Sequence, residues 1–246
     1  MGGRSPVREA KEKVKTVRAK TGPFQERPHF DPGEIDRMCV LELRKSGLYP
    51  AQPEAIRIDR FIEKRFGSPH DYEDLPNGVL GYTKFGKKGV ERIVISSELA
   101  EDGSDVARRR ERATMAHEAG HGLLHAFLFA VETPASTLFG KDNCSGSQIL
   151  CREVIGDQSA SRPKPSWSEY QANRAIGGLL LPRKLVMAAL QGYMVPTGAL
   201  GGSVLDQSRK ADAERTLSTV FDVNPIVARI RLEDLFAPEN SGQMLL

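Results

Sequence analysis

Near its middle the chain reads His117-Glu118-Ala119-Gly120-His121. The apolar residues around this stretch repeat at helical spacing, and no proline lies between Asp105 and Val131, so the sequence predicts a helix here. Two histidines four positions apart project from the same face of a helix, where both can bind one metal ion. Glu118 points elsewhere, which leaves its carboxylate free to hold a water. The stretch is typical of a metallopeptidase site with Glu118 as general base, although a core helix with two solvated histidines has the same pattern.

A catalytic zinc site needs a third protein ligand and an open position for water. Metzincins have a glycine and a histidine where this chain has Leu124 and Phe127, so the sequence excludes that class. We predict Glu169 as the third ligand, because it stands 48 residues after His121 in a segment with helical spacing. Asn173 lies one turn later on the same face and is predicted to accept the second ring N–H of a ligating histidine. The alternative is an amphipathic helix whose polar face contains both residues.

Peptide hydrolysis also needs a donor that stabilises the oxyanion of the transition state. The sequence offers three candidates without ranking them: Tyr82, His125 and Tyr170. His125 continues the row of His117 and His121 by another four residues. It is therefore alternatively a metal ligand, or a histidine that the helix dipole favours near a helix end.

The composition is that of a soluble globular protein, with 246 residues, 39% hydrophobic and 27% charged. Residues 1–30 contain eight Lys or Arg and three Glu, so this segment carries +5, while the rest of the chain carries −2. Such a basic tail can contact nucleic acid or an acidic protein, but it is more often solvated. We predict a disordered tail over residues 1–32, with at most a loose helix over Val7–Lys20, and no nucleic-acid partner.

No apolar run reaches the length of a membrane span, and the first 20 residues lack the apolar core of a secretory signal. The three cysteines, an odd and small number, fit a reducing compartment better than a disulfide framework. A cytoplasmic protein without a membrane partner is therefore expected. Cys144 and Cys151 are seven positions apart, which does not favour a structural zinc site.

The remaining pattern predicts an α+β fold. Helices are expected over residues 33–46, from Pro53 to Gly67, from residue 105 to Val131–Pro134, and over Trp167–Leu181, Leu205–Phe221 and Ile226–Leu235, the last capped by Asn224. A β-hairpin is expected over Val79–Phe85 and Val90–Ser96, before the motif helix. Residues 136–165 are rich in Gly, Ser and Pro and are predicted to be a long loop. The expected units are the tail at 1–32, a metallopeptidase domain at 33–200, a helical subdomain at 201–236 and a tail at 237–246.

Two blocks of the chain resemble the ImmA/IrrE-type metallopeptidases. The first reads Arg112-Ala113-Thr114-Met115-Ala116-His117-Glu118-Ala119-Gly120-His121-Gly122-Leu123-Leu124-His125 and is similar to R-x-T-x-A-H-E-x-G-H-x-x-L-H. The second begins Glu169-Tyr170-Gln171-Ala172-Asn173, ends Leu179-Leu180-Leu181-Pro182, and is similar to E-x-x-A-N-x-F-A-x-x-L-L-x-P. The resemblance covers roughly residues 35–236. The chain departs from it at Ala175-Ile176, at Gly177-Gly178 and in the length of the segment 136–165.

The resemblance implies a zincin-like core with a gluzincin-like site, in which His117, His121 and Glu169 bind Zn²⁺ and Glu118 is the base. It also implies a C-terminal region of helix-turn-helix type. The members of the ImmA/IrrE-type family are cytosolic proteases of bacteria or mobile elements. They cleave a repressor, usually of helix-turn-helix type, and so derepress mobile-element or stress genes. We therefore expect a protein substrate of that kind.

Two rival interpretations remain. One is a non-catalytic regulatory protein, with zinc structural or absent, whose C-terminal helices bind a repressor or DNA. The other is a toxin-like interaction module. DNA binding is poorly supported, because the basic residues from Phe221 to Leu235 are only Arg229 and Arg231.

Overall fold

The structure, a computed structural model, describes residues 16–18, 26–86, 88–130, 148–152, 167–197 and 202–236. The helices are α1 Pro32–Lys45, α2 Ile58–Phe66, α3 Ser97–Glu101, α4 Asp105–Leu124, α5 Ala126–Ala130, α6 Trp167–Leu180, α7 Arg183–Ala189, α8 Lys210–Phe221 and α9 Pro225–Leu235. The strands are β1 Thr16–Arg18, β2 Glu26–Pro28, β3 Asp71–Glu73, β4 Val79–Gly86, β5 Gly89–Ser96, β6 Gln148–Arg152, β7 Met194–Thr197 and β8 Gly202–Leu205. Helices predominate among the described residues, and all but one of the strand pairs in the small sheets are antiparallel, so the predicted α+β class is confirmed.

The largest sheet of the described residues has four strands in the order β3-β5-β4-β6. The predicted hairpin of β4 and β5 forms its centre, and β3 pairs parallel to β5. The strand β6 pairs antiparallel to β4, with Thr83 opposite Ile149. The prediction of one long loop over residues 136–165 is therefore wrong for residues 148–152, which form an edge strand. Strand β4 supplies backbone hydrogen-bond partners for this short apolar segment. The residues on either side of it are rich in Gly, Ser and Pro, so the sequence gives no clear signal for a strand here.

The motif helix α4 lies between this sheet and helix α6, and α1 packs on the other side of α6. The apolar face of α1 is the predicted one, with Ile35, Cys39 and Leu43 fully buried. Cys39 is a free thiol in this core, and burial raises its pKa to about 12. The side chains of Cys144 and Cys151 lie outside the described residues.

Two helix boundaries differ from the predicted ones. Helix α2 begins at Ile58, not near Pro53, because Ile56 is buried and its carbonyl accepts a hydrogen bond from Arg112 Nη2 at 2.9 Å. That tertiary contact keeps the carbonyl of Ile56 outside the helix, and residues 51–57 are not helical. The predicted stop at Gly67 is confirmed, since this residue caps α2 with a φ of 79°.

The motif helix α4 ends at Leu124, earlier than the predicted Val131–Pro134, and the short helix α5 follows. His125 leaves the helix with a φ of −123° and is fully buried. Its side-chain contacts, described below, outweigh the tendency of this apolar segment to continue as one helix. Residues 131–147 lie outside the described part of the chain.

The two ends of the described chain correct further predictions. Strands β1 and β2 pair antiparallel, with Thr16 opposite Pro28, in the segment predicted as a tail with a loose helix. The other residues before residue 26 lie outside the description. Near the C-terminus, Leu205 belongs to strand β8, which pairs with β7, so α8 begins only at Lys210. Asn224 caps α9 as predicted, because its side chain accepts a hydrogen bond from the N–H of Ile226 at 3.2 Å. Among the described helices, none is long and apolar enough to cross a membrane.

Asp222 links the C-terminal helices to α4 through hydrogen bonds. It follows α8 with a φ of 51°, in the left-handed region that Asp and Asn tolerate better than most residues. Its carboxylate accepts hydrogen bonds from Arg108 and from Arg109, the latter at 3.0 Å, and its carbonyl accepts one from Arg112 at 3.0 Å. The part of α4 that precedes the histidines is therefore tied to the connection between α8 and α9.

We expect Asp222→Asn to lower the free energy of unfolding by about 1–2 kcal/mol, since hydrogen bonds to charged groups contribute about that much when partly exposed. Asparagine keeps the left-handed backbone, so the loss reports the charge and the one acceptor oxygen that the amide lacks. Urea unfolding of the metal-free protein measures it. Asp212→Asn is the control, because its pair with Arg215 is exposed, and its stability should stay within experimental error. Equal losses in the two variants would contradict this role of Asp222.

Candidate metal centre

Two histidines of α4 and one glutamate of α6 form a buried cluster. His117 Nε2 lies 3.2 Å from Glu169 Oε2, His121 Nε2 lies 3.3 Å from Glu169 Oε1, and the two Nε2 atoms are 3.0 Å apart. One possible ligand atom from each residue lies within 4.8 Å of the other two, and the three residues are 0–7% exposed. This group can bind a metal ion. The structure therefore brings together the three residues that the sequence analysis selected as ligands.

Small residues at the crossing of α4 and α6 make this meeting possible. A Cβ atom on Gly120 would lie 2.8 Å from Ala175 Cβ and 3.2 Å from the carbonyl oxygen of Ala172. Any side chain at position 120 would therefore push the two helices apart. Because Gly120 adjoins His121, the close crossing sets the distance over which Glu169 reaches both imidazoles.

Asn173 contacts the other side of the His117 ring. Its Oδ1 lies 3.0 Å from His117 Nδ1, while His117 Nε2 faces Glu169. An amide oxygen accepts only, so this contact favours a proton on Nδ1 and would leave the lone pair of Nε2 to a bound metal ion. The geometry is the one that the spacing of Glu169 and Asn173 predicts.

His125 lies behind His121 and not beside the three ligand atoms. Its Nδ1 is 3.0 Å from His121 Nδ1, the ring nitrogen opposite the one that faces Glu169. Its Nε2 is 3.1 Å from Gln171 Oε1, and its ring packs edge-on against Trp167 with centroids 5.2 Å apart. This placement supports neither a ligand nor the predicted transition-state donor. The third alternative, a histidine at the helix end, describes its position but not its contacts.

The two tyrosine candidates take different places. Tyr82 donates a hydrogen bond to Glu73 at 2.9 Å, and burial together with that carboxylate raises its pKa. Neighbouring strand residues point to opposite faces, and Thr83 faces α4, so Tyr82 points to the far face of the sheet. That position does not support a role as donor at the cluster. Tyr170 follows Glu169 on α6 and is half exposed.

Glu118 is fully buried against the sheet and is not one of the three clustered ligands. Thr83 Oγ1 lies 2.6 Å from Glu118 Oε2 and 3.1 Å from the carbonyl oxygen of Glu118. Gly81, two residues earlier on the same face of β4, leaves room for this side chain, since a Cβ there would lie 3.4 Å from Glu118 Cγ and 2.9 Å from Thr114 Cγ2. The sheet thus fixes the orientation of this carboxylate.

The electrostatics of the cluster suit a cation. Burial raises the pKa of Glu169, but hydrogen bonds with His117 and His121 outweigh that effect and hold the pKa below its ordinary value. Burial lowers the pKa of His121, and burial together with His121 lowers the pKa of His125 to about 3. Near neutral pH the cluster therefore holds an ionised carboxylate and a neutral His121, the protonation states that metal ligands need.

Thr83 and Gln171 are the contacts that sequence reasoning missed. Thr83 stands 35 residues before Glu118, and Gln171 stands 46 residues after His125. Helical spacing relates residues within one element only, so no pattern in the sequence points to either pair.

The chain matches no known protein-family model and no curated protein. The geometry of the site and the resemblance of its two sequence blocks therefore carry the evidence for a function.

Proposed function

We propose that the chain is a zinc-dependent endopeptidase of the ImmA/IrrE type that cleaves a transcriptional repressor in the cytoplasm. One observation carries this proposal. His117, His121 and Glu169 form a buried ligand group, while Glu118, the residue next to His117, is outside this group and has its buried carboxylate bonded to Thr83. A metal site that only stabilises the fold has no use for this second buried carboxylate.

The ligand group fits zinc. Catalytic zinc sites commonly use three protein ligands, among them two histidines with one glutamate, and keep a fourth position for water or substrate. Structural zinc sites use four ligands and are rich in cysteine. Within the part of the chain that the structure describes, the cluster has three members and contains no cysteine. The donor set thus supports a catalytic ion more than a structural one.

A bound zinc ion would lower the pKa of a water from about 15.7 towards 7 and polarise the scissile carbonyl. Glu118 would take a proton from the water whose oxygen attacks the carbonyl carbon. The same carboxyl group would then pass that proton to the amine as the C–N bond breaks. Thr83 fixes one oxygen of the carboxylate at 2.6 Å, so the base does not rotate between these two steps.

For the substrate we propose a repressor of helix-turn-helix type, on the basis of the sequence resemblance. The same basis supports a zincin-like core, formed by α4, α6 and the four-stranded sheet, and a helix-turn-helix-like pair of α8 and α9. Residues 222–224 join these two helices, and so short a connection is typical of such a pair.

The contacts of α9 argue against the rival role in DNA binding. Arg231 is buried, donates to the carbonyl oxygen of Leu181 at 3.0 Å and pairs with Asp36 at 2.9 Å. Arg229 pairs with Glu214 at 3.2 Å. Both arginines of this helix are thus engaged within the protein, which supports a protein substrate over nucleic acid.

Removal of the metal tests the proposed function. We expect the purified chain to contain about one zinc ion and to cleave the helix-turn-helix repressor encoded beside it, if such a gene is its neighbour. A chelator should stop cleavage and added Zn²⁺ should restore it. His121→Ala should lose both the metal and the activity. Metal content is measured by atomic absorption and cleavage by mass spectrometry of the products.

Equal cleavage by the metal-free protein would contradict a zinc mechanism. A zinc-loaded chain that binds the repressor but leaves it intact would favour the non-catalytic regulator instead.

A further inference from the structure

His121 reaches α6 through both of its ring nitrogens. Nε2 faces the carboxylate of Glu169 at 3.3 Å, and Nδ1 faces His125, which in turn contacts Gln171. His121, His125 and Gln171 thus form a continuous row of hydrogen bonds that leads from His121 to an amide. All three residues are at most 4% exposed, so bulk water does not compete for these bonds.

The protons in this row follow from metal binding, and the inference rests in this respect on the proposed function. A nitrogen that binds a metal carries no proton, so a neutral His121 with Nε2 at the metal carries its proton on Nδ1. That proton faces His125 Nδ1 at 3.0 Å, which must accept it. A neutral imidazole that accepts at Nδ1 carries its own proton on Nε2. This second proton faces Gln171 Oε1 at 3.1 Å, an oxygen that only accepts.

The opposite arrangement excludes the metal. If the amide of Gln171 turned its NH₂ group to His125, His125 Nε2 would accept and the proton of His125 would move to Nδ1. His121 Nδ1 would then have to accept, and the proton of His121 would stand on Nε2, where the metal ligand atom is needed. The orientation of one amide therefore decides whether His121 offers a lone pair to the cluster.

We propose that Gln171 and His125 act as positioning residues that hold His121 in its metal-binding tautomer and so set the affinity for a divalent cation. Trp167 supports the arrangement, because it stands four residues before Gln171 on α6 and packs against the ring of His125. His117 is oriented directly by Asn173, whose Oδ1 lies 3.0 Å from His117 Nδ1. The two histidine ligands thus receive their tautomers from the same helix that supplies the third ligand.

The test compares variants that keep shape but lose the acceptor. Gln171→Met and His125→Leu should each weaken Zn²⁺ binding about 10–100-fold, the usual cost of removing a group that orients a ligand. His125→Asn, which matches leucine in shape but offers an amide oxygen, should recover most of that loss. Affinity is measured by competition with a chromophoric chelator. Thr114→Val is the control, since it removes a partly buried hydrogen bond of the same helix that does not involve any residue of the row.

A double variant tests whether Gln171 affects metal binding only through His125 or independently of it. If Gln171 acts only through His125, His125→Leu with Gln171→Met should bind Zn²⁺ no more weakly than His125→Leu alone. Losses that multiply, or Gln171→Met with unchanged affinity, would overturn the proposal.

The tautomers themselves give a measurement that needs no variant. In the zinc-loaded wild-type chain, ¹⁵N NMR should find the proton of His121 on Nδ1 and that of His125 on Nε2. A proton on His125 Nδ1 would overturn the proposal. A wild-type chain that binds no zinc would remove both this inference and the proposed function. A chain that binds zinc with the expected dependence but cleaves no repressor would remove the proposed function alone.

Discussion

Glu118→Gln is expected to keep its zinc ion and to cleave the repressor about 10²–10⁴-fold more slowly, the usual contribution of a positioned general base. The reason is chemical and not steric. Glutamine has nearly the same shape as glutamate, and its amide oxygen can still accept the hydrogen bond from Thr83 that now reaches Glu118 at 2.6 Å. A neutral amide cannot take a proton from water at neutral pH. The ligand group of His117, His121 and Glu169 does not include Glu118, so metal affinity should stay unchanged.

The experiment separates kcat from zinc content on a repressor that the wild-type chain cleaves. Glu111→Gln is the matched control, because it makes the same change two turns earlier on α4, at a partly exposed carboxylate that accepts a hydrogen bond from Tyr72. The control should keep wild-type activity. A Glu118→Gln variant that retains more than about a tenth of the activity would rule out Glu118 as the base.

The ligand group was accessible to sequence analysis because each half of it is local. The spacing of His117 and His121 determines a shared face on any helix, and so does the spacing of Glu169 and Asn173. Neither of these two spacings predicts the distance between the two helices. That distance depends on the close approach of Gly120 to Ala175, which becomes visible only when α4 and α6 are packed.

The parts that sequence analysis missed depend on tertiary contacts. Strand β6 exists because β4 offers it a row of backbone partners, and the late start of α2 depends on the bond between Arg112 and the carbonyl of Ile56. His125 shows the same effect within the site. Its place in the row of histidines suggested a ligand or donor, but the end of α4 turns its ring towards Gln171 and Trp167. Local periodicity predicts which residues share a face of a helix or strand, but it does not predict which other residues contact that face.

Glu169→Gln is expected to weaken Zn²⁺ binding by more than about 100-fold, beyond the 10–100-fold that the loss of a group orienting a ligand usually costs. The carboxylate supplies the only negative charge among the three ligands, and its oxygens lie 3.2 and 3.3 Å from the two Nε2 atoms. With an amide in its place, a divalent ion would sit in a buried site beside two neutral imidazoles. A buried charge with no counter-charge among its ligands is strongly unfavourable.

The same chelator competition measures this loss, and the variants should fall in a set order. Wild type should bind most tightly, Gln171→Met less tightly and Glu169→Gln least, because the first variant disturbs a ligand and the second removes one. Glu111→Gln should bind as wild type does. If Glu169→Gln binds Zn²⁺ with wild-type affinity, Glu169 is not a zinc ligand. The close approach of α6 to His117 and His121 then serves only to pack the two helices. The charge of one side chain thus distinguishes a metal centre from a packed polar crossing of two helices.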